Sequence, residues 1–483
     1  MVQVTFSYIP RDRFSPEIRP RVNAWCRIIL PITLVLLCVL PAAAQSVEPS
    51  IYPPPEKKRV LLAITETLLV NVVVNLTNSY AFGEKWSRVH LDDWKRNWRF
   101  GWEWDDNPFS SNMFSHPYHG AAYFNAGRSN GLSFWESAPL VYLGSWTWEF
   151  FAETYRPSFN DFFMTSFGGI TLGEVTHRLS AMIRDEQTRG AERIAREFVA
   201  GVMNPVSGVN RLFRGQWTRV GPNPPEHDPD AYYFAVGTGV RNVYEDSTGI
   251  ENFAPTILLD LQLGDPFGRG YSEPFDVFAL NMQISPGGGN LNVLQAFGRL
   301  YQTGLSDWGA NVRHDFVVNL RYDYLNTIVY QFGGQSVEAG IISRFPLPEG
   351  FFLRTRASGD FLIMGGISAP FSGVRNRSYD FGPGGGATIA AEIERGGNVF
   401  FSAYTRVEYL HSVSGAPADH VITFSGIKGN VLLFSGLGVG FFMSADTRTS
   451  FYPEFGEINR NFFETRVFIS WSNSRRPFKA GRS

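Results

Sequence analysis

Beyond residue 44 this chain has no cysteine; the only two, Cys26 and Cys38, lie in its first 44 residues. Disulfide staples, thiol nucleophiles and cysteine metal sites are thereby excluded for the rest of the chain. Positive charge is also short. The whole chain carries −2 at neutral pH, and five arginines (Arg11, Arg13, Arg19, Arg21, Arg27) stand against Asp12 and Glu17 in the leader, so the remainder is more acidic still. Nucleic acid is excluded as a partner, because phosphate binding needs a basic face. There is no Gly-rich phosphate loop of the GxxxxGK type and no dinucleotide fingerprint, so no cofactor is expected. Long apolar runs are scarce too, and a mean hydropathy of −0.12 is too polar for a helical membrane protein.

What is present points elsewhere. Aromatic residues make up 15% of the chain and 48 residues are glycine, a balance that suits an outer-membrane barrel. Ile28 to Leu40 is a short apolar core behind basic residues, followed by Ala42, Ala43 and Ala44. It reads as a secretory signal peptide over 1–44, cut after Ala44. The run falls short of the ~20 residues a spanning helix needs. A proline-rich linker follows at 45–58, then a Trp-rich helical head over 59–220, a second linker at 221–230 with four prolines, a barrel over 231–472 and a tail over 473–483.

Within the head, Val60 to Leu76 is apolar but is interrupted by Thr65, Glu66, Thr67, Asn71 and Asn75. Those polar residues argue against a spanning helix and for one packed on the head or lying at the membrane surface. Eight of the 12 tryptophans fall between Trp86 and Trp148, as suits either an interface or a compact aromatic core. Further helices are expected over Ser137–Glu153, Ile170 to about Arg189 and Ala191–Met203, the last with Ile194, Phe198 and Val202 on one stripe. Ser158 with Asp161 three residues on has the form of a capping box.

After residue 230 the period changes to two. Phe316, Val318, Leu320, Tyr322 and Tyr324 alternate with Arg313, Asp315, Asn319, Arg321 and Asp323. Val399, Phe401, Val407 and Tyr409 alternate with Ser402, Tyr404, Arg406 and Glu408. Each such strand has one apolar and one charged face over a length that matches a tilted membrane crossing. The fold class expected is therefore a membrane β protein: an antiparallel transmembrane barrel of about 12 strands, preceded by an α-helical head that caps or plugs it.

Asn107-Pro108-Phe109, His116-Pro117-Tyr118-x-Gly120, the run from Tyr123 to Arg128, Ser145-x-x-x-Glu149, Pro157-Ser158-x-x-Asp161, Thr165, Gly168-Gly169 and Gly173-Glu174 form a pattern. It resembles a bacterial family of outer-membrane proteins known only as a domain of unknown function, over roughly residues 75–215. The resemblance implies secretion and an outer-membrane location and brings no agreed activity.

The head's polar residues admit three readings. His116, His119, Glu149 and Glu153 are candidate metal ligands, and Glu174-x-x-His177 has the spacing of one half of a di-iron motif, which needs that unit twice. Pro117 after His116 disfavours helix there and spoils the spacing of the two histidines. Ser145 or Ser158 with His116 and a carboxylate would make a hydrolase acting on lipid or lipopolysaccharide, though neither serine has a nucleophile-elbow pattern. Asp105-Asp106-Asn107 could hold calcium but has the form of a turn. The residues favour the third reading, a buried network in which Glu149, Asp161 and Glu174 tie helices together through His116, Arg128 and backbone amides. The catalytic candidates, His116, Glu149, Ser158, Asp161, Glu174 and His177, thus serve only the alternative function. The first expectation is a structural or transport-related outer-membrane protein rather than an enzyme. Its expected partners are outer-membrane lipids, the barrel-assembly machinery during biogenesis, and a small solute or lipid ligand.

Overall fold

The structure is a computed structural model that describes residues 57–473, apart from 225–226, 228–230, 269–270, 272, 287–289, 307–311, 372–376, 397 and 435. The expected signal peptide with its cleavage after Ala44, most of the first linker and the tail beyond 473 lie outside the described residues.

Twelve strands form one closed antiparallel barrel. They are β1 (Tyr232–Glu245), β2 (Glu251–Leu263), β3 (Phe278–Ile284), β4 (Leu291–Ser306), β5 (Arg313–Asn326) and β6 (Gln331–Pro346). The circle continues with β7 (Phe351–Ser368), β8 (Tyr379–Arg395), β9 (Asn398–His411), β10 (Asp419–Phe434), β11 (Leu437–Tyr452) and β12 (Gly456–Ser472), and β12 pairs back onto β1. Closure leaves no unpaired sheet edge, which is what permits strands in lipid. Most strands are longer than the 9–13 residues expected, because the ladders continue past the length of a tilted crossing.

Contacts between strands that are not neighbours identify the lumen. Lys428 on β10 donates to Asp260 on β2 at 2.6 Å, and Arg406 on β9 reaches Asp323 on β5 at 2.9 Å. Gln283 on β3 donates to Glu464 on β12 at 3.3 Å. Rings also meet across the interior: Phe332 and Phe424 at 5.3 Å, and Tyr330 and Phe462 at 4.9 Å. Phe332, Phe462, Asp323 and Arg406 are all buried, so side chains fill the lumen at this level, as a barrel of this size allows.

Alternate residues must then face outward. On β12 they do so into open space, Val467 being 60% exposed. On β5 the outward Tyr322 is 0% exposed, because the helical head covers it. The expectation that the head caps or plugs the lumen is therefore corrected: the head stands against the outer wall. The physical reason is that the lumen is already filled by charged and aromatic side chains, while the outward apolar rows of β2–β8 offer a dry surface.

The head consists of α1 (Val60–Leu76), α2 (Leu91–Phe100), α3 (His116–Arg128), α4 (Phe134–Phe151), α5 (Phe159–Phe163), α6 (Gly169–Ile183), α7 (Gly190–Met203) and α8 (Pro205–Phe213), with wide turns at Thr77–Ala81, Ser111–Ser115 and Met164–Gly168. Its contact with the barrel centres on Met113, which lies over Gly333 and Gly366; a Cβ at Gly366 would stand 2.4 Å from the Met113 Cε. Phe109 stacks on Tyr324 at 5.8 Å and meets Tyr379 edge-on at 5.5 Å. Phe134 stacks on Phe275 at 5.6 Å. The buried apolar cluster runs continuously from Phe124, Phe167 and Ile170 into Leu261, Leu280, Leu320 and Met364.

Several local expectations are revised. α3 begins at His116 despite Pro117, continuing straight out of the wide turn at Ser111–Ser115, so the proline removes an amide that the helical run would otherwise use. The carbonyl of Met113, four residues before the proline, receives the Tyr322 hydroxyl instead. α4 starts at a full capping box, Ser133 with Glu136, earlier than Ser137, and ends at Phe151, so Glu149 and Glu153 are not one turn apart on one helix. α6 stops at Ile183 because Arg184 turns extended.

Met113→Asp places an unpaired carboxylate in this dry seam, at a cost of several kcal/mol. The expected outcome is a barrel that keeps its heat-modifiable gel migration while limited proteolysis cuts within 57–220.

Candidate functional site

The site is assembled by three segments that the fold brings together: the approach to α3, the end of α4, and the start of α5. Ser158 caps α5, its Oγ accepting from the Asp161 amide at 3.3 Å and donating to the Asn160 Oδ1 at 2.9 Å. The box is only half made, because the Asp161 carboxylate turns away to His116, whose Nε2 lies 3.4 Å from Oδ1. The other imidazole nitrogen of His116 faces the Thr165 hydroxyl at 3.3 Å. Glu149 accepts from the Ser158 amide at 2.8 Å. Glu153, past the helix end, accepts from the Trp148 indole at 2.6 Å. His119 meets the Tyr123 hydroxyl at 2.9 Å and lies edge-to-face on Trp148 with centroids 4.7 Å apart.

Asp105 completes the group. Its carboxylate is held by the amides of Asn107, Asn112 and Asn160, and its backbone carbonyl accepts from Arg377 at 3.1 Å. The Tyr379 hydroxyl donates to the Asn107 carbonyl at 3.0 Å. Barrel residues from the β7–β8 connection thus hold the loop that supplies Asp105.

Four carboxyls and two imidazoles in a poorly hydrated space cannot all be charged. Burial, reinforced by neighbouring carboxylates, raises Glu149 and Asp161 well above the usual carboxylate range. Burial lifts Glu153 to about 7, against the Trp148 hydrogen bond that lowers it. Burial pushes His116 down to about 4 and His119 to about 3. Near neutral pH both imidazoles are uncharged, and Glu153 is poised between its two states.

These side chains help line a cavity of 1420 Å³, whose walls include Asp105, His116, His119, Glu153 and Asp161. Leu69, Val70, Val73 and Val74 from α1, with Val206 and Val209 from α8, add aliphatic surface to the same lining, and Glu66, Asn78 and Asn210 lie among them. A ligand that fits such a lining has both polar and apolar parts.

The remaining sequence candidates are placed elsewhere. Glu174 pairs with Arg128 at 3.0 Å and with Arg178 at 2.8 Å, and Arg178 goes on to Asp276 beside the barrel at 3.1 Å. That constellation pins α6 to the wall and is separate from the cavity. His177 is buried one turn further along α6. Ser145 points its hydroxyl at the Phe162 carbonyl at 3.5 Å, and His116 is engaged by Asp161 and Thr165, so no Ser–His pair forms with either serine. Among the described residues no three His, Cys, Asp or Glu side chains converge to hold a metal ion. The candidate ligands His116, His119, Glu149 and Glu153 are turned to different partners. The Asp105-Asp106-Asn107 turn likewise has protein amides where calcium would sit.

Sequence reasoning did not single out Asp105 as a member of the site or weigh Glu153 as an acid–base group. Asn107 and Asn160 beside acidic residues were the available signal. Tyr379 and Arg377 lie more than 200 residues away, and nothing local marks them.

Comparison with known proteins adds the following. Residues 101–206 match a family model described as a domain of unknown function, DUF3943. Comparison with curated proteins returns no match. Among solved structures, a mutant of the TodX monoaromatic hydrocarbon channel is 10% identical, covering 55% of this chain and 94% of its own, at a TM-score of 0.21. The β domain of the Bordetella autotransporter BrkA is 14% identical over 50% of this chain and 98% of its own, at 0.21. An anion-selective porin from Comamonas acidovorans is 8% identical over 50% and 98%, also at 0.21. At such scores the matches carry no functional inference, and the barrel rests on the strand pairing given above. Residues 101–206 of the helical head are thus similar to the DUF3943 model, and the head stands against the outer wall of a closed twelve-stranded barrel.

Proposed function

We propose that the barrel is a membrane scaffold for the head, and that the head's cavity takes a lipid-class amphipathic molecule and carries out acid–base chemistry at its carboxyl and imidazole groups. One observation supports this reading above others: carboxyls and imidazoles with strongly shifted proton affinities share a cavity with a run of aliphatic side chains from α1 and α8. Glu153, with a carboxyl lifted to about 7, suits donation or acceptance of a proton near neutral pH. His119, whose imidazole is neutral, lines the same cavity and lies against Trp148, which donates to Glu153. The Asp161–His116 pair and Glu149 hold the loop geometry on which both depend. Proton transfer at this site needs no serine or cysteine nucleophile.

Transport is the second reading. It is favoured by a lumenal cavity of 440 Å³ whose lining includes Asp260, Arg299, Arg321, Arg354 and Lys428. In that case the side chains that fill the lumen would have to part.

Three outcomes are expected. Glu153→Gln and His119→Gln, in cells that retain a normally migrating barrel, change the mass-spectrometric profile of extracted outer-membrane lipids relative to wild type; identical profiles would sink the acid–base reading. In planar bilayers the purified full chain gives no steady conductance, and an open-channel trace would favour transport instead. The third outcome concerns pH. The raised Glu153 binds its proton more tightly in the fold than in the unfolded chain, whose carboxyl titrates near 4.5. Its contribution to stability is therefore present below that value and is lost as pH rises to about 7. Chemical denaturation of Glu153→Gln across pH 4.5–7 should show a smaller fall, or a larger rise, in stability than wild type.

A further inference from the structure

Three helices of the head bury the wrong residues for a domain in water. On α1, Thr67 and Asn71 are buried while Leu61, Leu69 and Val73 are exposed. Thr67 bonds its own helix at Ala63, and Asn71 donates to the Gly144 carbonyl and the Thr147 hydroxyl, both at 3.0 Å. Thr67 and Asn71, two of the polar residues that argue against a spanning helix, therefore face the head, and Asn71 docks α1 on α4.

α7 repeats the inversion with charges. Arg193 and Glu197 are 1% and 0% exposed, whereas Phe198 and Val202 on the expected apolar stripe are 60% and 61% exposed. Arg193 pairs with Glu197 at 2.9 Å, and Arg211 of α8 joins the same carboxylate at 2.6 Å. Arg184 adds a fourth charge at 3.5 Å. On α8 the buried positions are Ser207 and Gly208, and Leu212 and Phe213 point out. Gly208 approaches Gly201 of α7 so closely that a Cβ there would meet its Cα at 2.6 Å. Small residues between helices, paired charges inside and aliphatics outside are the arrangement of helices packed in hydrocarbon.

We propose that acyl chains of the bilayer around the barrel cover the outward apolar faces of α1, α7 and α8. Two facts select this occupant. The head sits on the outward rows of β2–β8, the same surface that on β9–β12 forms the barrel's exposed apolar band. The exposed helical faces therefore continue a surface that already faces lipid. In water, by contrast, exposing so much aliphatic surface on three helices would be a strong aggregation liability. Leu69 and Val73 also line the cavity, which therefore opens toward this face; the proposal does not depend on the cavity's chemistry.

The test uses the full chain in proteoliposomes, with single cysteines in a C26S/C38S background carrying a nitroxide label. Val72→Cys, Phe198→Cys and Val202→Cys, all at exposed positions outside the cavity, are compared with Val467→Cys on the barrel's lipid side. Labels on the head should match Val467→Cys, with oxygen relaxing them at least several-fold more than a neutral nickel chelate does. Stronger relaxation by the chelate would place the faces in water. Protection from both reagents, with dipolar broadening between labels, would assign them to a second copy of the chain. Either result overturns the proposal. A check without substitutions is photolabelling of the unmodified protein with a diazirine-bearing phospholipid. Peptides from 60–81 and 190–213 should carry label alongside those of β9–β12, and label confined to the strands would count against lipid contact.

Discussion

Tyr322 and Asp323 are neighbours in the chain that face opposite ways, and the rest of the structure depends on that alternation. Asp323 turns in, meets Arg406 across the lumen and helps fill it. Tyr322 turns out and gives its hydroxyl to Met113 of the head. A pleated strand enforces this division at every residue. The charged side chains therefore satisfy one another in the interior, and an apolar wall is left outside. On one sector of that wall the head replaces lipid; on the other the wall remains bare.

The same constraint reaches the candidate site. Asp105 and Asn107 are held from the barrel side by Arg377 and Tyr379, and their side chains in turn reach Asn160 and Asp161. The loop that carries Asp105 and Asn107 into the cavity is thus fixed jointly by the head and the wall, while α1 and α8 supply aliphatic lining together with Glu66 and Asn210. Burial lifts Glu149, Glu153 and Asp161 and depresses His116 and His119, so these groups hold less charge than their composition suggests.

Much of the architecture was legible in the chain. Two-residue alternation from 231 onward is enough for strands, their number and the sidedness of residues such as Leu320 and Arg321, because nothing but a pleat produces that period. Helix starts were legible where a cap declares them, as at Ser158, and less so where compensation comes from afar. His116 is the clear case: the proline after it signals a break, and only a barrel tyrosine on the vacated carbonyl makes the turn acceptable. The polar residues of α1 and the stripe of α7 were visible too, but their direction was not. Amphipathicity marks two faces and leaves open which one the solvent prefers.

By itself, then, the sequence determined a cysteine-free body, a helical head before a barrel of about twelve strands, and the set of histidines and carboxylates from which any site must be drawn. Composition and period are local quantities, and these conclusions need nothing more. Only the tertiary structure decided that the head lies outside the barrel, that Asp105 and Glu153 join His116, His119 and Asp161 while Glu174 and His177 do not, and that three helices turn their apolar faces outward. Those outcomes depend on which surfaces meet, and surfaces meet through contacts between residues up to some 270 positions apart that no local pattern encodes.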